Sequence, residues 1–195
     1  MLFIDSKRKS EKTLERLYPD AIIVDVTSKA KDALIKLSPF YPHGDIPVPF
    51  SKNFTSMSVE GIWQGLKVFR NHDIDISSFS NEKMKNIKRT VRKFGIPLGH
   101  KKGVKGEEFL DYVEARILIY LPSYLWILQN KVENIMIRLR EANKTKNIVL
   151  LDYTTNCDIF DKSKPLSHAF LIKAYVEEVY PQQELLLNEY SINNK

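Results

Sequence analysis

The chain has 195 residues, 43% of them hydrophobic, with a net charge of +6 and a pI near 9.2, so it suits one domain, or one domain with a small appendage, around a sizeable core. No apolar run approaches the roughly 20 residues that span a bilayer, and Met1–Ile4 leads straight into charged residues, which argues against a secretory leader. A lone cysteine, Cys157, excludes an internal disulfide and a cysteine-rich zinc site, and the expectation is a cytoplasmic protein with no membrane partner.

Leu2 to Ile4 reads as a short strand, and Lys7 to Leu17 as a helix broken by Pro19 and Asp20. Ala21 to Val26 is a β-branched run with the character of a buried strand. Thr27 or Ser28 can cap a helix that ends near Lys36. Residues 1–48 thus form a small α/β segment expected to pack on the main domain. Ser38 to Thr55 holds Pro39, Pro42, Pro47, Pro49 and Gly44, which disfavour regular structure, yet also Phe40, Tyr41, Val48, Phe50 and Phe54. A proline-stiffened loop that lines a pocket fits both facts, and a domain linker is the simpler alternative.

Ser56 or Ser58 can cap a central helix running to Phe69. Asn71 to Ser80 is turn-prone. Asn81 to Phe94 has the pattern of a basic helix with Met84, Ile87, Val91 and Phe94 on its apolar stripe, terminated by Gly95. A basic loop, Gly99 to Gly106, leads to a helix from Phe109 to Ile119, another from Pro122 to Asn130, and a third stretch from Lys131 to Ala142. Ile148 to Tyr153 reads as a strand, Leu166 to Tyr180 as a last helix ended by Pro181, and residues 181–195 as a tail expected to fray. The fold class expected is α+β, mostly helical, with the main domain over 49–180.

Two features carry chemistry. From Lys83 to Lys105 the chain places nine cations and no acid, a patch that attracts phosphates in nucleic acid, dinucleotides or anionic lipid; a solvated helix face followed by a loop is the plain alternative. In Ser58-Val59-Glu60-Gly61-Ile62-Trp63-Gln64-Gly65-Leu66-Lys67, an acid, an amide and an amine fall at spacings of four and three. On a helix these share one face, a plausible grip on a polar ligand, although Glu and Lys on a solvated helix face are common. The four histidines show no ligand spacing, so no metal is expected. His43 reads as a turn residue.

Pro49-Phe50-Ser51-Lys52-Asn53-Phe54, followed by Ser58-Val59-Glu60, Trp63-Gln64 and Lys67, resembles the opening signature of the NADAR family: an FSNF-like turn, then a helix with Ser/Thr-Val-Glu, an aromatic-Gln pair and a Lys. Further pieces occur in the family's order. Ile87-Lys88-Arg89-Thr90-Val91-Arg92 is similar to its basic helix, Tyr112 to Asn130 to its Arg-containing helix, and Leu150-Leu151-Asp152 to its acidic strand. The likeness covers roughly residues 49 to 175. It departs where Asn156-Cys157-Asp158 replaces Asp-x-x-Trp-Gly, and where Leu166-Ser167-His168-Ala169 replaces Asn-x-Leu-Gly. The family is associated with NAD and ADP-ribose, and known members are N-glycosidases that act on riboflavin-pathway intermediates or remove ADP-ribose from guanine bases.

The resemblance implies a NADAR-like helical core and a cofactor-independent N-glycosidase acting on an ADP-ribosyl or related ribonucleotide bond. Its partners would be an ADP-ribose-like nucleotide and ADP-ribosylated nucleic acid. Breaking that bond develops positive charge at the ribose C1′ and negative charge on the base, which suits paired carboxylates. Glu60 is the candidate for stabilising C1′ or activating water, and Asp152 or Asp158 for protonating the base. Lys67 can bind phosphate or, as a desolvated amine, attack the sugar and form a Schiff base. Gln64 would orient a hydroxyl or base edge, and Trp63 is either core or a stacking ring. Phe50 and Phe54 would line the pocket, with Lys88, Arg89 and Arg92 on a diphosphate. Arg116 and Tyr120, four apart, read either as a phosphate-binding Arg beside a stacking ring or as a packed pair. His168 reads as a locally hydrogen-bonded helix residue or as a proton carrier, and Asp152 equally as a turn acid. Two alternatives stay open: a nucleotide-binding module without catalysis, and a nucleic-acid binder using residues 83–105.

Overall fold

A computed structural model describes residues 1–193. The protein mixes helices and small sheets in the α+β manner, and it divides into two compact units that interleave along the chain.

The first unit comprises residues 1–38 and 128–181. Its centre is a three-stranded sheet in the order β1-β8-β2, with β1 (Leu2–Ser6) and β2 (Ile22–Asp25) both parallel to β8 (Ile148–Asp152). Every residue of β8 is buried, as a central parallel strand covered on both faces requires. Val149 and Leu151 pack with Leu14 of α1 (Glu11–Leu17) and with Phe3, Tyr18 and Ala21. Alternation then directs Ile148, Leu150 and Asp152 to the other face, where α7 (His168–Val176) lies against β1 and β8. α6 (Glu133–Asn143) packs on α7 and is tied to it by Arg140, which donates to the Tyr175 carbonyl at 3.0 Å. A 3-10 turn, Asp32–Leu37, takes the place of the helix expected up to Lys36.

The second unit comprises residues 39–127 and 182–193 among those described. The proline-rich stretch holds a two-residue ladder, β3 (Ile46–Pro47) with β4 (Thr55–Ser56), and then gives way to α2 (Val59–Gly65). Beyond α2 comes a three-stranded antiparallel sheet, with β5 (Lys67–Phe69), β6 (Pro97–Lys101) and β7 (Phe109–Leu110) in that order. α3 (Val91–Phe94) precedes β6. A continuous helical run consists of α4 (Tyr112–Ala115), a π-turn (Arg116–Tyr120) and α5 (Leu121–Asn130), of which residues 112–127 belong to this unit. α8 (Gln183–Asn193) closes the unit.

Several expectations are corrected. α2 ends at Gly65, because the Gly65 carbonyl accepts from Asp75 N at 2.7 Å and Lys67 already pairs with His100 in the sheet. The long basic helix over 81–94 is absent, and only its last four residues are helical. Asn86 takes a left-handed φ of 58°, and Ile87 and Arg89 are buried two apart. Tertiary bonds to Arg89 thereby override local helix propensity. Pro122 does not separate two helices. The Leu121 N–H bonds five residues back to Arg116, and this widened turn makes room for a proline ring that would otherwise clash with the carbonyl four residues earlier. The segment after 181 is a helix anchored by Gln183, which donates to the Ile117 carbonyl at 2.8 Å, and by the Tyr190 hydroxyl on Asp111.

Candidate functional site

In the second unit, Ser58 caps α2 by accepting from Gly61 N at 3.0 Å, the role its residue type favours. Glu60 N donates to the Pro39 carbonyl at 2.9 Å, so the proline-rich loop fixes the helix start. Glu60 and Gln64 are 7% and 4% exposed. Gln64 Nε2 donates to Glu60 Oε1 at 2.7 Å, and Lys67 Nζ donates to Gln64 Oε1 at 3.1 Å. The acid and the amine therefore communicate through a buried amide. The spacing singled out in the sequence brings all three groups together even though Lys67 has left the helix.

Burial pushes the Lys67 amine below its ordinary range; the Glu60 carboxylate opposes that shift, and Lys88 and Arg89 add to it. The net direction favours the neutral amine. Lys67 Nζ also lies 5.8 Å from the Trp63 ring centre. That half-buried indole sits 3.9 Å from the His100 ring and edge-on to Tyr112 and Tyr120, each at 5.7 Å.

His100, 1% exposed, escaped the sequence reading. It reaches the cluster only through the pairing of Lys67 with His100 across two strands, a register that no local pattern encodes. Burial and the nearby Lys67 charge drive its pKa down to about 3 against a weak approach to the Trp63 backbone, so the ring is neutral. Neither ring nitrogen has a hydrogen-bond partner of good geometry, a rare condition for a buried polar group.

The remaining candidates separate. Arg89 is 7% exposed and donates its guanidinium to the carbonyls of Lys67, at 2.6 Å, and Asp73, at 2.8 Å, while its own N–H donates to Gln64 Oε1 at 2.9 Å. It braces the cluster and is not presented to a diphosphate. Lys88 is exposed and lies 5.2 Å from the Phe40 ring, and Arg92 is exposed on α3. Phe50 is half exposed at a left-handed φ of 56°, with Lys102 5.5 Å from its ring, and Phe54 is partly buried. Arg116 is buried with its guanidinium over the Tyr112 ring at 4.4 Å, and Tyr120 stacks on Tyr124 at 6.1 Å.

Asp152 and His168 belong to the first unit. Asp152 Oδ2 accepts from Ser167 Oγ at 2.8 Å and faces His168 Nδ1 at 3.0 Å, while His168 Nε2 meets the Val26 carbonyl at 2.8 Å. Burial opposes ionisation of both. The pairing wins in each, holding Asp152 below and His168 above its ordinary pKa. Acceptors at both ring nitrogens favour the protonated ring, in keeping with the raised His168 pKa. This arrangement is a cross-brace between α7, β8 and the end of β2. It is no hydrolytic triad, because Ser167 donates to the acid and not to the histidine. Asp158 is exposed, and its Oδ1 closes a turn by accepting from Phe160 N at 2.8 Å. Among the described residues no cluster of His, Cys, Asp and Glu could hold a metal ion. An open depression of about 690 Å³, lined by Met1, Pro19–Ile22 and Asn143–Asn147, also lies in the first unit and contains none of the candidate residues.

The chain belongs to the Family of unknown function (DUF6939), whose model matches residues 6–172. No curated protein and no solved structure matches it.

Proposed function

We propose that this member of a family of unknown function is an N-glycosidase acting on an ADP-ribosyl or related ribonucleotide N-glycosidic bond, with a NADAR-like core in its second unit. The observation that carries this reading is the buried chain from Glu60 through Gln64 to Lys67, in which burial biases a lysine toward its neutral, nucleophilic form. In this reading the Lys67 amine attacks C1′. The Nζ–C1′ bond forms as the bond from C1′ to the base breaks, and the proton lost by nitrogen passes to the departing base. The ring opens to an imine, water adds to it, and free ribosyl product and amine are regenerated. Glu60 carries the negative charge that stabilises positive charge developing at C1′. Gln64 holds acid and amine in register, and Lys88 supplies an exposed cation for a phosphate.

Incubation with NAD, ADP-ribosylated nucleic acid and riboflavin-pathway intermediates, with chromatography for released base, tests the reaction. Release that falls at least about a hundredfold in Glu60→Gln and in Lys67→Ala is the expected result, the scale typical of removing a positioned catalytic group. Undiminished release in both variants would exclude this site. A second reading, nucleotide binding without cleavage, is favoured by Asp152, whose carboxylate is engaged by Ser167 and His168. Tight nucleotide binding with no product is its signature.

A further inference from the structure

We propose that the turn joining α3 to β6 is a docking point for an anionic lipid surface, a role independent of the Glu60–Lys67 site. Three large aliphatic side chains project there: Val91 is 59% exposed, Ile96 79% and Leu98 66%. Their placement follows from the backbone. The Gly95 N–H bonds back to the Val91 carbonyl at 2.9 Å and closes the single turn of α3. Gly95 then takes a φ of 86°, and a Cβ placed on it would meet no atom within 4 Å. The turn is therefore open at Gly95. Ile96 precedes β6, and Leu98 is the residue left unpaired where the β5–β6 register shifts, so both side chains remain exposed at the start of the strand. Phe94 turns inward instead and packs on Phe69 and His72.

The segment that carries this tip is cationic, and Asp73, which the fold brings to its Arg89 and Lys101, is engaged by Lys101 at 3.6 Å. Between Glu82 and Glu107 the chain contains no acid. Lys83, Lys85, Arg92 and Lys93 are exposed and have no acidic partner among the described residues. Aliphatic groups set among unpaired cations match a bilayer surface, where the cations meet anionic headgroups and the aliphatics enter the acyl boundary. A second copy of this chain is disfavoured as the occupant, because like charges would face each other. Nucleic acid complements the cations, but Val91, Ile96 and Leu98 offer no π-face for a base. The surface also gives a use to the basic run that the Glu60–Lys67 cluster leaves unabsorbed, since of its nine cations Arg89 is turned inward and Lys101 and Lys102 meet Asp73 and Glu108.

Flotation of the full chain with vesicles tests this. Vesicles of phosphatidylcholine with about 30% phosphatidylserine are expected to carry the protein at about 0.15 M salt, and pure phosphatidylcholine vesicles are not. The double variant Ile96→Ser/Leu98→Ser is expected to weaken recovery at least about tenfold, and Arg92→Gln/Lys93→Gln to weaken it and reduce its salt dependence. All four positions are solvent-facing, and circular dichroism checks that the fold persists. No binding to the anionic vesicles overturns the proposal. Equal binding by the Ile96→Ser/Leu98→Ser variant overturns it too, since charge alone would then suffice. So does binding to a mixed-sequence single-stranded DNA that outcompetes the vesicles and is insensitive to the aliphatic substitutions.

Discussion

The Lys67 amine titrates below its ordinary value of 10.5 because it is buried, and its neighbours pull in opposite directions. Glu60 raises the value, so Glu60→Gln is expected to lower it further. Lys88 lowers it, so Lys88→Ala is expected to raise it. Carbon NMR of isotopically methylated lysines reads both shifts directly, and movement in the same direction for both variants would contradict this electrostatic picture. Asp152 and His168 make a different pH statement. His168 is raised above 6.5, so its stabilisation is complete below about pH 6.5 and fades as the pH rises through the raised value. Asp152 is lowered below 3.8, so its share is present above about pH 3.9 and is lost as the pH falls through the lowered value. The melting temperature should therefore decline from pH 6 to pH 9, and that decline should shrink in His168→Gln. Asp152→Asn should destabilise by about 3–5 kcal/mol at pH 6, because it leaves a buried imidazolium unpaired.

The helix α2 illustrates what local sequence can and cannot convey. Its start is written in the chain: a serine before an apolar-periodic run, confirmed by the bond from Gly61 N to Ser58 Oγ at 3.0 Å. Ser58→Ala should cost about 1 kcal/mol. Its two glycines are a sterner test. By helix propensity, Gly→Ala stabilises by about 1 kcal/mol. A Cβ on Gly61 would lie 2.7 Å from Ser56 Oγ and 2.8 Å from the Ser78 carbonyl, and one on Gly65 would lie 2.4 Å from the Phe79 ring. Urea unfolding should therefore show Gly61→Ala and Gly65→Ala destabilised by about 1–3 kcal/mol, and a gain in stability would show that these close approaches relax freely. The same contrast explains the basic segment. Periodicity at Met84, Ile87, Val91 and Phe94 suggested a helix, but the bonds that decide the segment run from Arg89 to Gln64, Lys67 and Asp73, far away in sequence. The site triad was legible because two of its members share one helix and the third lies within three residues of it. His100 was not, because only strand pairing carries it there.

At the scale of the whole molecule, the apolar runs at 2–4, 21–26 and 148–153 marked the places of the strands 2–6, 22–25 and 148–152. Their assembly was not. β8 lies more than a hundred residues after β2, and it is flanked by β1 on one side and β2 on the other. Deleting residues 1–38 would strip both edges from a strand buried along its full length, so the truncated chain should aggregate or fail to fold; a folded, monomeric product would mean that this sheet is dispensable. The most direct measurement on the central claim is thermal unfolding with and without ADP-ribose, because a ligand specific for the native state raises its apparent stability. Wild type should gain several degrees at saturating ADP-ribose, while Glu60→Gln and Lys67→Ala gain little or nothing. An identical gain in all three proteins, or none for wild type with ADP-ribose, NAD or related nucleotides, would contradict a ribosyl site at Glu60 and Lys67.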